Sequence, residues 1–465
     1  MSSVKILWGQ SIIKKAAFYS EKITFYLSLL FIFLLPWQTR YIFSYGIING
    51  DPWEYGTKSL YGTEILAGGI IVFFILSQIV NIKEILTKKR SFYWYCVIGL
   101  CGCLGVGFLI AAYRGVNPGI SYYYSYRFFL GLSICLVISK IFLTIRHAPI
   151  KLLTAFWISG VIQGLLALSQ FFSQHVVADK WLGLAEQQGS TLGTAVIELS
   201  SGRWLRAYGA FGWPNSLGIY LAIAWVIGLL LYQQITSSYP QLSLKKIIFA
   251  KAVLTGGQMI ITSGLILSFS RGSWIAAGIG AITLLILIGK KNSSQLKSIF
   301  FQLLYSGAVI IFFFIALHPL FVTRFDGGNR LEQRSVTERV GQWKQAYQTI
   351  LHHPLTGVGP GAITYYFHVQ QPMLHIWDIQ PVHAIYVLVL AEDGFLIAIL
   401  YALICILFIK HIWKHNRLYL SVIMVMLISG LFDHWLMSLY GGMMVWWVVW
   451  GIGPQTPKVK VWIKG

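Results

Sequence analysis

His383 is the side chain in this sequence best placed for proton chemistry. It follows Gln380-Pro381-Val382 at the mouth of an apolar run. An imidazole there, with an ordinary pKa of about 6.5, meets both water and a headgroup and can take a proton from a hydroxyl. Asp433 and His434 close a later apolar run. An aspartate near His383 in space can orient its ring, and the same residue can equally cap a helix end. Arg206, Arg271, Arg339 and Arg127 offer planar donor forks suited to phosphate or carboxylate, as in a lipid diphosphate. Asn215 follows Pro214 where a span should begin, and Glu392-Asp393-Gly394 lies within the run that His383 opens. Ten residues of helix cover roughly 15 Å, so Glu392 and Asp393 sit deep and must face protein or water. The glycine permits a break there, with an acid capping the second half.

No metal or cofactor is expected. His352, His353, His368 and His375 fit no ordinary zinc spacing, and Cys96, Cys101, Cys103, Cys135 and Cys405 fall inside apolar runs as small core residues. Gly357-Val358-Gly359-Pro360-Gly361 reads as a turn after a helix rather than a phosphate cradle.

The elements that must hold these residues are helices in lipid. The chain has 465 residues, 56% hydrophobic and 11% charged, with a mean hydropathy of +0.67. Apolar runs recur throughout, each about the 20 residues a helix needs to cross a bilayer. The fold class is an all-α integral membrane protein with about 12 spans, near 23–38, 61–80, 92–112, 123–139, 152–172, 213–232, 252–269, 272–289, 299–317, 382–409, 418–436 and 438–453. Pro36-Trp37-Gln38-Thr39-Arg40 after the first run reads as an aromatic anchor, so that run is expected as a retained first helix. Residues 1–317 hold spans one to nine, with an outer loop at about 173–212. Residues 318–381 form a large outer segment, and 382–465 hold spans ten to twelve.

Charge sets the orientation. With both termini in the cytoplasm, the inner segments hold Lys5, Lys14, Lys15 and Lys22; Lys83, Lys88, Lys89 and Arg90; Lys140, Arg146 and Lys151; Lys245, Lys246 and Lys251; Lys290, Lys291 and Lys297; Lys410, Lys414 and Arg417; and Lys458, Lys460 and Lys464. Outside, arginine replaces lysine: Arg40, Arg114, Arg127, Arg203, Arg206, Arg271, Arg324, Arg330, Arg334 and Arg339, against Lys58, Lys180 and Lys344. The positive-inside rule explains the inner excess but not this outer choice of guanidinium, which points to an anion. The net charge of +21 is mostly topological, and no nucleic-acid partner is implied.

The large outer segment should carry a helix. Ser335-Val336-Thr337-Glu338 fits a capping box at its start, and Pro354 ends it. Val336, Val340, Trp343, Tyr347 and Ile350 form an apolar stripe that can rest on the membrane or on the spans.

Together these motifs resemble the O-antigen ligase and O-antigen polymerase family of membrane glycosyltransferases. The resemblance runs from about Arg206 to Asp433, through Pro214-Asn215, Ser270-Arg271-Gly272, Arg339 with Trp343, His353-Pro354-Leu355-Thr356-Gly357-Val358-Gly359, His383, Glu392-x-Gly394 and Phe432-Asp433-His434. It implies a GT-C-like bundle in the bacterial cytoplasmic membrane with an extracytoplasmic site. The donor is an undecaprenyl-diphosphate-linked glycan, and the acceptor a lipid, protein or polysaccharide. His383 is then the base, with Asp433 as the family's late aspartate. Arg206, Arg271 and Arg339 hold the diphosphate, with Arg127 at a helix mouth as a further candidate and Asn215, Glu392 and His434 in support. The family usually has asparagine after its histidine, where this chain has Ala384. A transporter, suggested by the deep acids, and a non-catalytic lipid-binding scaffold are the competing readings.

Overall fold

In lipid, a backbone must satisfy its own hydrogen bonds, and a helix does so segment by segment. A computed structural model describes residues 2–79, 92–145, 148–238, 243–289, 293–326 and 330–453. Its helices are α1 (Ser2–Leu34), α2 (Gly62–Ile79), α3 (Phe92–Arg114), α4 (Pro118–Thr144), α5 (Ala148–Ser173), α6 (Pro214–Ser238), α7 (Leu244–Leu267), α8 (Arg271–Ile288), α9 (Ser293–Ala316), α10 (His318–Phe325), α11 (Arg330–His352), α12 (Ile363–Gln370), α13 (Ile385–Asn416), α14 (Leu420–Ser429), α15 (Trp435–Ser438) and α16 (Tyr440–Ile452). Among the described residues, 10 helical stretches are long and apolar enough to cross a membrane. The difference from the expected dozen lies at the carboxyl-terminal end. There α14 follows α13 through a tight turn at Arg417–Tyr419, and α16 has 13 residues. Of the cations expected inside, Lys83, Lys88, Lys89, Arg90, Arg146, Lys290, Lys291, Lys458, Lys460 and Lys464 lie outside the described residues.

The core is built on α6 and α16, both almost wholly buried. α16 packs on α4 and buries Trp446, Trp447 and Trp450, while α14 packs on α8, and α7 on α5 and α6. The spans leave apolar side chains such as Ile286, Phe312 and Ile315 exposed, as a lipid-facing surface requires. The five cysteines are free thiols.

The connecting segments gather at one end and carry short antiparallel ribbons that the hydropathy pattern did not announce. Arg40–Ser44 pairs with Lys58–Tyr61, and Val196–Leu199 with Gly202–Leu205. Tyr55 Oη donates to Gln380 Oε1 at 3.0 Å, and Asn49 Nδ2 to the Pro372 carbonyl at 2.8 Å. Arg330 pairs with Glu198 at 3.0 Å. The segments around 35–61, 174–213, 317–326 and 330–384 therefore form one layer over the bundle.

Helix α11 differs from its expected form in two ways. It begins at Arg330, so the Ser335–Glu338 box lies inside it, and Glu338 instead pairs with Arg334 at 2.6 Å. Most of the apolar stripe faces away from the spans: Val336, Val340, Trp343 and Tyr347 are exposed, Ile350 is half-buried against the core, and Glu332, Gln342, Ala346 and Thr349 are buried against the protein.

Helix α13 breaks at Gly394, where φ is 74° and ψ 174°, a conformation that favours glycine. The chain after α11 fills the break. Val358 N–H donates to the Ala391 carbonyl at 3.0 Å, and Gly359 N–H to the Glu392 carbonyl at 2.8 Å. Phe395 N–H donates to the Pro354 carbonyl at 2.8 Å. The second half of α13 is thus capped by a backbone carbonyl and not, as expected, by an acid side chain.

Candidate functional site at the loop end of the bundle

The site is assembled from the start of α13, the end of α14, the inward face of α11 and the starts of α6 and α8. His383 stands two residues before α13, whose first amide, Ile385 N–H, donates to the Gly430 carbonyl at 2.8 Å. That bond fixes the histidine beside the segment after α14. His383 Nδ1 lies 2.8 Å from Gln342 Oε1 on α11. The His434 ring meets it edge to face at a centroid distance of 4.9 Å, and His434 Nδ1 lies 2.6 Å from Ser438 Oγ.

Of the two roles the sequence left open for Asp433, orienting the His383 ring or capping a helix end, its hydrogen bonds show the cap. Its Oδ1 accepts from Trp435 N–H at 2.8 Å and its Oδ2 from Asn215 Nδ2 at 3.2 Å. The first bond caps the turn into α15. The second starts a chain: Asn215 Oδ1 accepts from Arg206 Nη2 at 2.8 Å, and Arg206 Nε donates to the Ser268 carbonyl at 2.9 Å. Arg206 is buried behind Asn215.

A cavity of ≈ 260 Å³ opens beside this chain, lined among others by Asn215, Arg271, Arg324, Arg339 and Asp433. Glu332 of α11 braces two of the arginines. Arg271 Nη2 meets its Oε2 at 2.6 Å, and Arg324 Nη1 pairs with its Oε1. Backbone carbonyls complete the brace, with Arg271 Nη1 donating to Arg324 O at 3.0 Å and Arg324 Nε to Phe269 O at 3.2 Å. Among the described residues, no hydrogen bond or ion pair engages the half-buried Arg339 guanidinium.

The charges here are short of anions. Burial, followed by the like charges of Arg206, Arg271 and Arg339, lowers the Arg324 pKa to about 8. Burial lowers Arg206 to about 10, with Arg271 and Arg339 adding to it while Tyr208 and Asp433 oppose. Arg339 is lowered too, by burial and then by Arg271, against Asp433. Guanidinium keeps its proton at neutral pH, so these shifts reflect the cost of burying the cations, with mutual repulsion added to it, both of which a bound anion would offset. Burial, then His434 and Arg339, push His383 down to about 3 against the pull of Asp433, leaving a neutral imidazole. Burial disfavours charge on Asp433, but His434, His383 and the bonds from Trp435 and Asn215 prevail and hold it below its ordinary value.

Two of the proposed site residues stand elsewhere. Arg127 is spent on a buried pair with Glu64 at 3.3 Å and on the Ser59 carbonyl at 2.8 Å, among the rings of Tyr61, Tyr123 and Tyr440. It does not line the cavity. Glu392 accepts from Ile363 N–H at 3.4 Å and, with Asp393, lines a separate void of ≈ 30 Å³, room for about one water. Sequence reasoning had not assigned Gln342, Glu332 or Arg324 to the site. The signals were the place of Arg324 among the outer arginines and the spacing of Glu332, Arg339 and Gln342, which recur at helical intervals along one flank of the apolar stripe.

Residues 257–402 match the family model described as O-Antigen ligase. The chain carries an O-antigen ligase region. That region contains Arg271, Arg324, Glu332, Arg339, Gln342 and His383, while Arg206, Asn215, Asp433 and His434 lie outside the match. This match and the many apolar helices support an O-antigen ligase or polymerase type of membrane protein. No curated protein matches the chain.

Proposed function

We propose that this O-antigen ligase region transfers a glycan from undecaprenyl diphosphate to an acceptor hydroxyl on the extracytoplasmic face of the bacterial cytoplasmic membrane. The observation that carries it is one cavity lined by Arg271, Arg324 and Arg339, with Asp433 on its wall, next to which His383 stands. The acceptor oxygen attacks the anomeric carbon as the bond from that carbon to the diphosphate oxygen breaks. His383 takes the hydroxyl proton, and the electron pair leaves with the diphosphate. Guanidinium groups already placed around that leaving group stabilise its growing charge, which makes a divalent ion unnecessary. A single displacement inverts the anomeric centre. Lipid-linked donor, lipid, protein or polysaccharide acceptor and surrounding lipids are the partners, as part of lipopolysaccharide assembly.

The architecture is read as GT-C-like, with twelve spans and the three-part division at 317 and 381. Arginine at the loop end and lysine at the other support an extracytoplasmic site. Polymerisation uses the same donor and is the alternative. Transport is less well supported, because the break in α13 is filled by the chain's own backbone.

Purified protein in liposomes, given undecaprenyl-diphosphate-linked glycan and acceptor with a chelator present, should release undecaprenyl diphosphate and form an inverted linkage by NMR. Activity lost to chelator and restored by a divalent ion would contradict the mechanism. Deleting the gene should leave long unattached lipid-linked chains if the protein is a ligase, and single repeats if it is a polymerase.

A further inference from the structure

We propose that Gln342 is a positioning residue that sets the tautomer of His383, and that α11 ties the readiness of this base to the seating of the diphosphate. The inference deepens the proposed function and rests on it. A glutamine carbonyl oxygen can only accept a hydrogen bond. Oε1 at 2.8 Å from Nδ1 therefore requires the proton on Nδ1 and leaves a lone pair on Nε2, the atom that must receive the acceptor's proton. In water, neutral imidazole prefers the opposite form, so the site has to impose this one. Gln342 is buried on α11, which keeps water from competing for the bond.

The same helix touches the anion site. Glu332 braces Arg271 and Arg324, Arg339 lines the cavity, and Gln342, one turn further on, holds the base. Residues three apart on a helix share a face and move together. A diphosphate that draws Arg339 inward must carry Gln342 with it, so the base is aligned when the donor is seated.

The test is the ¹⁵N spectrum of histidine-labelled, full-length protein in phosphatidylcholine nanodiscs, with His383 assigned by its loss in His383→Ala, alongside turnover of an undecaprenyl-diphosphate-linked glycan. Wild-type protein should carry the His383 proton on Nδ1. Gln342→Leu should move it to Nε2 and lower kcat about 10²-fold with the donor KM nearly unchanged. Gln342→Asn, with a shorter arm, should show the same displacement should the leucine variant fail to fold. Gln342→Glu still offers an acceptor, so it should restore the tautomer and most of the turnover. It should also move the acid limb of the pH profile upward, since a carboxylate favours imidazolium. Around the ring, His434 and Asp433 from the segment after α14, and Arg339 and Glu338 from α11, stay as they are across this series. Inorganic pyrophosphate should shift the His383 signal in wild-type protein and not in Arg339→Ala. A wild-type proton on Nε2, or a tautomer indifferent to Gln342→Leu, overturns the positioning role. An equal pyrophosphate shift in Arg339→Ala overturns the link through α11. Absence of turnover by the wild-type protein would instead sink the transferase reading, and full turnover in His383→Ala the assignment of the base, whatever the spectrum shows.

Discussion

Arginine at this site is doing what lysine cannot. Arg271 uses one guanidinium edge on Glu332 and the Arg324 carbonyl, and a planar fork can do that while presenting its remaining N–H to the cavity. Arg271→Lys should therefore fail to rescue Arg271→Ala. Both should weaken pyrophosphate binding by about 10- to 100-fold, the value of one or two charge-assisted bonds, as read by calorimetry. Binding equal to wild type in the lysine variant would mean that net charge alone matters. Glu332 has a different role: it is buried between two guanidiniums, and removing one partner of such a set leaves uncompensated charge. Glu332→Gln should lower the thermal midpoint clearly, whereas Glu338→Gln, at an exposed pair, should change it little. The arginines and His383 were legible because their chemistry is rare at the mouth of a span. Gln342 was not, since its helical spacing with Glu332 and Arg339 assigns it no role until the ring it faces is known.

Among the elements, the long spans were legible from hydropathy because lipid thickness selects their length. The break at Gly394 was legible from a glycine beside two acids. What fills it was not, because pairing between 354–359 and 391–395 depends on tertiary approach rather than on a local pattern. Added to Gly394, a Cβ would lie 2.4 Å from the Leu355 carbonyl carbon, at a positive φ of 74°. Gly394→Ala should then destabilise the protein and loosen the segment that anchors the end of α11. Hydrogen exchange at Val358 and Gly359 should quicken, and protection equal to wild type would refute the anchoring. The start of α11 was misread for a related reason. The local capping box at Ser335 competes with contacts made by Glu332, and the contacts win by extending the helix back to Arg330.

For the whole molecule, burial of His383, His434 and Asp433 couples stability to pH. The histidine pKa values are lowered in the folded protein, His383 to about 3, and Asp433 is lowered as well. Unfolded chains then bind more protons in acid, so stability is complete above about pH 6.5 and falls as pH drops towards the folded values. The thermal midpoint in detergent should decline below that pH, and the decline should be shallower in His383→Ala. A midpoint flat between pH 7 and 4 would contradict the buried neutral imidazole. Orientation is the other whole-molecule property. Cysteines engineered at exposed positions 336 and 343 should react with an impermeant thiol reagent from outside the cell. The charge pattern is what points to that side, while the gathering of distant segments into one layer was visible only in the fold.

The most direct test of the account compares release of undecaprenyl diphosphate by purified wild-type protein and His383→Ala, with pyrophosphate binding measured on both. The expected result is a loss of turnover of about 10²- to 10⁴-fold with pyrophosphate affinity retained, since the arginine cavity is untouched. Wild-type turnover in His383→Ala would contradict the assignment of the base and, with it, the transfer chemistry proposed for this cavity.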